Sequence, residues 1–294
     1  MATMPQIRNP LEWGWDQLKQ AQLAVEATGQ AIGGADDVAA EMPQMIRRIG
    51  MADLRLALQQ GMSDFAACRT DVVFLGLAYA LAGIVLVHLT VGHDLLPLVF
   101  PLASGFAILG PVAAVGLYEM SRRRERGLET SWADGFAVVG SPAFGAILVL
   151  GLYLLAIFLV WMVAAFGIYQ LTLGPEPPES VAAFARDVLT TAAGWTMIVA
   201  GVAVGFVFAV VALTISVVSF PLLLDRNVGL YAAIGTSIRA VAANPGPMAA
   251  WGMIVAAGLV LGSIPLFLGL AFVLPVLGHA TWHLYRRTVR PATP

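Results

Sequence analysis

His279 and His283 stand one helical turn apart, close to the end of the last apolar stretch, and are followed by Arg286 and Arg287. Imidazoles at i and i+4 share one helix face, the spacing from which a divalent metal can be gripped. Two ligands do not close a tetrahedral site, and the other histidines, His88 and His93, are placed at the opposite end of an apolar run. A haem held between two histidines meets the same obstacle, because its axial ligands must approach from opposite faces at one depth. His279 and His283 are therefore a candidate metal pair whose ordinary alternative is interfacial polar contact. Aligning Pro111 with Pro275 sets Glu119 against His283. A Glu119–His283 pair is expected where these helices leave the apolar layer, either as a structural contact or as a pH-sensitive one.

Nothing else carries the spacing of a reaction centre. The chain has no HExxH, GxSxG or GxxxxGK[ST], and no paired carboxylates within its apolar stretches. A proton- or ion-coupled carrier places acids or histidines at mid-depth on facing helices. Apolar runs three to five hold none in their interiors, which leaves, among carriers, those of apolar or small neutral solutes. Pro101, Pro111, Pro221, Pro265 and Pro275 could break helices around a cavity, although kinks are tolerated for packing alone. Neither a catalytic residue nor a cofactor is expected. The lone Cys68 has no partner for an internal disulfide, and beside Arg69 it suits a reducing compartment.

The elements that must position these residues are helices in lipid. Of the 294 residues, 59% are hydrophobic and 12% charged, at a mean hydropathy of +0.82. Soluble domains carry about 25% charged residues. About 20 apolar residues cross the hydrocarbon core as a helix, and every backbone polar group must be satisfied within it. An all-α, polytopic membrane protein follows. Six crossings are expected, at about 72–91, 95–119, 143–170 and 192–224, with two more in 247–285 turning near Gly262 to Pro265. One long tilted helix with a short surface helix competes for that last region.

An even count puts both termini on one side, and 15 of the 16 Lys and Arg residues then share it. Only Arg186 lies opposite, so the positive-inside bias makes both termini cytoplasmic, in a bacterial inner membrane. Arg47, Arg48, Arg55, Arg122, Arg123, Arg124, Arg126, Arg286 and Arg287 are expected to anchor the membrane surface. A run such as 122–126 beside a span is a topology anchor, and no nucleic-acid partner is expected.

Residues 1–45 lack the basic start and apolar core of a signal peptide. They read as a cytoplasmic extension, with an amphipathic helix from Asn9–Pro10 to about Ala31 and a linker at 33–37. The membrane domain is then 46–290. Residues 45–69 set Leu54, Leu58, Met62 and Phe65 at helical spacing among arginines, which suits a helix lying in the headgroup layer.

Three openings, 52–71, 131–143 and 229–247, each precede a hairpin whose second helix carries a late proline, Pro111, Pro221 or Pro275. Three parallel repeats, about 46–126, 130–226 and 228–287, are expected.

At IRRIGMADLRLAL, FPLASGFAILGPVAAVGLYEMSRRRERG, SWADGF, VVSFPLLLDRNVGL and LPVLGHATWHLYRR, the chain resembles a bacterial family of predicted integral membrane proteins. Some of its members carry the label putative cytochrome c oxidase. The likeness covers roughly 45–290 and brings no site to transfer. It implies at most an accessory protein near respiratory complexes, since four histidines split between two surfaces do not match haem-copper ligation. The expected partners are the lipid bilayer and a further membrane protein, with the oligomeric state open.

Overall fold

The computed structural model describes residues 45–92, 96–226, 228–265 and 267–290. The amino-terminal helix and linker expected within 1–44 lie outside the described residues, as does His93. In chain order the helices are α1 (Met51–Gly92), α2 (Val99–Ala113), α3 (Val115–Glu125), α4 (Phe144–Thr172) and α5 (Val181–Thr190). They continue as α6 (Ala192–Ser216), α7 (Ser219–Asp225), α8 (Leu230–Ala243), α9 (Pro245–Ser263) and α10 (Leu270–Thr288). No strand occurs among the described residues; Ile46 and Val289 form one isolated antiparallel bridge.

Four helical stretches are long and apolar enough to cross a bilayer: Leu96–Glu125, Phe144–Thr172, Ala192–Asp225 and Pro245–Ser263. These coincide with the second to fifth expected crossings. The expected first crossing lies within α1 and the sixth within α10. Val160, Val163, Val199 and Phe206 stand exposed along α4 and α6. A surface this apolar is a liability in water and is satisfied by hydrocarbon.

Two spans are broken near a proline, and the break ahead of Pro221 is where one is expected, because the ring removes an amide donor and clashes with the carbonyl four residues earlier. The helix that contains Pro111 breaks at Ala114, dividing α2 from α3. Ahead of Pro221 the chain breaks at Val217 and Val218, dividing α6 from α7. There α8 supplies the missing partners. Ser237 Oγ accepts from the Val218 amide (3.2 Å) and donates to the Thr214 carbonyl (2.7 Å). Pro275 sits inside an unbroken α10.

The turn expected near Gly262 to Pro265 forms. α9 and α10 return on each other as an antiparallel hairpin, so close that a Cβ on Gly262 would stand 2.8 Å from Leu270. The single long helix is thereby excluded.

Residues 45–69 require a correction. They were expected as a separate helix lying in the headgroup layer; instead 51–69 is the first part of α1, with no break before the apolar part. Its 42 residues span about 63 Å at 1.5 Å per residue, twice a hydrocarbon core of about 30 Å. The buried stripe is also rotated from the expected one: Leu54, Ala57, Gly61, Asp64 and Cys68 face inward, whereas Met62 is exposed. The cause is close packing against α10. A Cβ on Gly61 would lie 2.6 Å from the Ala280 backbone, so small residues decide which face docks.

The three openings take three forms: the unbroken start of α1, a 3-10 segment at Trp132–Gly140, and the separate helix α8.

Candidate functional site

The described polar side chains that are buried gather mainly where α1, α3, α7 and α10 meet. α3 ends in Arg122, Arg123 and Arg124, and cations suit the negative end of a helix macrodipole. On α10, the residues His279, His283, Arg286 and Arg287 recur at helical spacing and point across to α1 and α3. The chain ends of this region are tied by Asn244. Its Oδ1 accepts from the Ile49 amide (2.8 Å) and its Nδ2 donates to the Arg47 carbonyl (3.0 Å).

Asp64 is the centre of this assembly. Its Oδ2 accepts from Ser121 Oγ at 2.6 Å and faces His283 Nε2 at 2.7 Å. Its Oδ1 meets Arg124 Nε at 3.2 Å. Burial alone would raise the Asp64 carboxyl. The hydrogen bonds from His283 and Ser121, with the nearby histidine charges, outweigh that and hold it below its ordinary value. Ser121 commits its one proton to Asp64, so it accepts from His279 Nδ1 at 2.8 Å, which places a proton on that nitrogen.

A second knot lies beside the first. Glu125 accepts from Trp282 Nε1 (3.1 Å) and Arg286 Nε (3.0 Å). Asp225 accepts from Tyr285 (2.8 Å) and Arg286 Nη1 (3.3 Å). Arg122 pairs with Glu119 at 2.7 Å and donates to the Leu224 carbonyl, joining α3 to α7.

The expected Glu119–His283 pair does not form. Glu119 meets Arg122 one turn along its own helix, and His283 meets Asp64 on α1. Proline alignment captured the position along each helix axis and not the rotation about it. His279 and His283 share a neighbourhood, but each is turned to a different hydrogen-bond partner. Among the described residues no three His, Cys, Asp or Glu side chains are placed to hold a metal. His88 is exposed on the far part of α1.

Of the arginines expected as surface anchors, Arg47, Arg48 and Arg55 are exposed. Arg123 pairs with Asp134 (3.1 Å), and Arg287 reaches Asp53 (3.5 Å) and Gln60 (3.0 Å). Arg126 approaches Asp225 only to 3.9 Å. Most of the arginines on α3 and α10 thus hold acids of the same chain.

Asp64, Ser121, Glu125 and Asp225 were missed as site residues from sequence. A usable signal existed for Asp64, which stands in line with Ala57, Gly61 and Cys68 at helical spacing, a small-residue stripe suited to close packing. Within the network the buried His279 Nε2 has no hydrogen-bond partner. Ser121 lies between Asp64 and His279 and is 1% exposed, so it is neither activated by a histidine base nor open to a substrate.

A different cavity lies far along the spans, between the start of α2, the end of α4 and the start of α6, and against α5. It measures about 420 Å³ and is walled by Phe100, Trp161, Tyr169, Phe184 and Val202. Trp161 Nε1 donates to Ser104 Oγ (2.8 Å) and Tyr169 donates to the Glu176 carbonyl (2.6 Å), so the polar tips of both rings are already occupied.

Residues 99–225 match the model of a family described as "Predicted integral membrane protein (DUF2189)". This chain is a polytopic, all-α integral membrane protein. The match agrees with the family resemblance drawn from the sequence and covers α2 to α7. No curated protein and no solved structure matches the chain.

Proposed function

We propose that the protein is a non-catalytic accessory or scaffold protein of a bacterial inner membrane, with its arginine-rich end and both termini in the cytoplasm. One observation carries this reading: the carboxylates and the Ser121 hydroxyl buried at that end are engaged by neighbouring side chains, while the body of the bundle buries Leu150, Leu154, Trp161 and Ala165. A reaction centre or a proton path needs a carboxylate or hydroxyl left free for a substrate. Three hairpin repeats, and an amino-terminal extension that reaches a second membrane protein, complete the proposal. The family label attached to respiratory oxidases favours a partner in such complexes.

Affinity purification of the full chain from native membranes tests this. A stoichiometric membrane-protein partner is the expected result. Isolation of the chain alone, or with a stoichiometric Soret-absorbing haem, contradicts it.

A second reading is supported by the apolar cavity, whose size and lining suit a small apolar solute. For such a carrier, an Ala165→Phe variant in reconstituted vesicles would lose solute flux. In a scaffold it would leave partner recovery unchanged.

A further inference from the structure

Another cavity lies at the arginine-rich end, measures about 320 Å³, and is bordered by Arg47, Arg124, Arg286 and Arg287 against Asp64 and Glu125. The two carboxylates are already spoken for. Asp64 receives His283, Ser121 and Arg124, and Glu125 receives Trp282 and Arg286.

The donors are in surplus. Arg47 is exposed and its guanidinium has no partner among the described residues. Arg287 borders the same recess, donating to Gln60 through Nη2 (3.0 Å) and reaching Asp53 through Nη1 only at 3.5 Å. Arg124 contacts Asp64 through Nε, which leaves both of its terminal nitrogens. Arg47 and Arg124 thus bring unused N–H donors to a recess that Arg287 also borders and whose carboxylates are already engaged. That composition repels cations and invites an anion with several oxygens.

We infer that this recess binds a phosphate-bearing anion, gripped by Arg47, Arg124 and Arg287. Phosphate offers several strong acceptor oxygens to planar forks that bind it bidentately, so it uses the leftover donors more fully than a carboxylate would. The site's position favours a phospholipid headgroup as the source. The recess opens at the end of the apolar stretch Leu96–Glu125. On two of the helices that line the recess, α1 and α10, the Phe65 and Phe272 rings meet edge to face at 5.1 Å. A headgroup seated among the arginines would leave its acyl chains running along an apolar flank, the arrangement by which basic pockets between helices hold anionic lipids. The inference is independent of whether the protein scaffolds or carries.

The test uses the full chain in a neutral detergent, titrated with phosphatidylglycerol, with phosphatidylcholine and with inorganic phosphate. Bound lipid is counted by native mass spectrometry and thermal unfolding is followed in parallel. Phosphatidylglycerol is expected to bind more tightly than phosphatidylcholine. Arg47→Ala is expected to weaken that binding about fivefold, the effect of one basic residue at an anionic surface. Arg47 bonds only through its backbone, so this variant keeps the fold; Arg48→Ala, outside the recess, should bind as the wild type does. Stabilisation by inorganic phosphate alone, lost in Arg47→Ala, supports the same site with a soluble phosphate as its occupant. Equal binding of both lipids with no phosphate effect, or an Arg47→Ala variant indistinguishable from wild type, overturns the inference.

Discussion

The two ends of the bundle are held by different forces. Where α1, α3, α7 and α10 converge, charged pairs and small-residue contacts join helices distant in sequence: Asp64 with His283, Glu125 with Arg286, Gly61 against Ala280. Between α4 and α6 the contacts are apolar, with the Trp161 ring beside Phe208 at 5.7 Å. Lipid tails are as apolar as leucine, so burying greasy surface does little to choose one helix partner over another inside the bilayer. Charges and close backbone approaches do choose. The difference teaches that the polar end sets which helices meet, and the apolar body follows.

The largest effect should come from Asp64→Ala. It strands Arg124 and His283 around a buried vacancy, and breaking a buried pair from one side costs about 3–5 kcal/mol. Reversible unfolding in mixed micelles measures it, with Asp187→Ala, outside the network, as the control that moves little. The same carboxylate has an acid signature. Its folded-state pKa is lowered, so its contribution is complete above the ordinary value of 3.8 and is lost as pH falls through the lowered one. Acid unfolding below about pH 4 should therefore be blunted in Asp64→Asn relative to wild type.

Gly61→Val comes next. Added carbons have no room against the Ala280 backbone, and overpacking costs about 1–3 kcal/mol; cysteine cross-linking between α1 and α10 should report their separation. Ser237→Ala removes the group that serves the broken backbone between α6 and α7. A loss of about 1 kcal/mol is expected in the same unfolding assay. The smallest effect belongs to the apolar body: Trp161→Phe, which deletes the bond to Ser104, should cost about 0.6 kcal/mol. A larger loss there than at Asp64 would reverse the comparison.

Periodicity and length alone made much of this fold legible. Runs without charge at 143–170 and 192–224 marked the spans Phe144–Thr172 and Ala192–Asp225, and the glycines with Pro265 marked the turn that makes α9 and α10 a hairpin. The rotation of α1 was not legible, because apolarity names the lipid-facing side of a helix as readily as its docked side. Met62 and Leu54 look alike in a hydropathy pattern, yet one is exposed and the other buried. The partners in the network escaped for a related reason. Proline spacing fixes how far along α3 and α10 Glu119 and His283 stand, while their azimuth depends on Gly61 and Gly278, which let α1 and α3 approach α10. The short helix α5 was missed because its hydrophobic face sits beyond the span on which apolar length draws attention.

A double-mutant cycle between Asp64→Ala and His283→Ala, read as unfolding free energy in one micelle composition, tests most directly whether charge pairing closes the arginine-rich end. Contacting residues in one network couple, and the two substitutions should fall short of additivity by about 1–3 kcal/mol. Losses that add to within about 0.5 kcal/mol would mean that the two side chains do not hold α1 to α10.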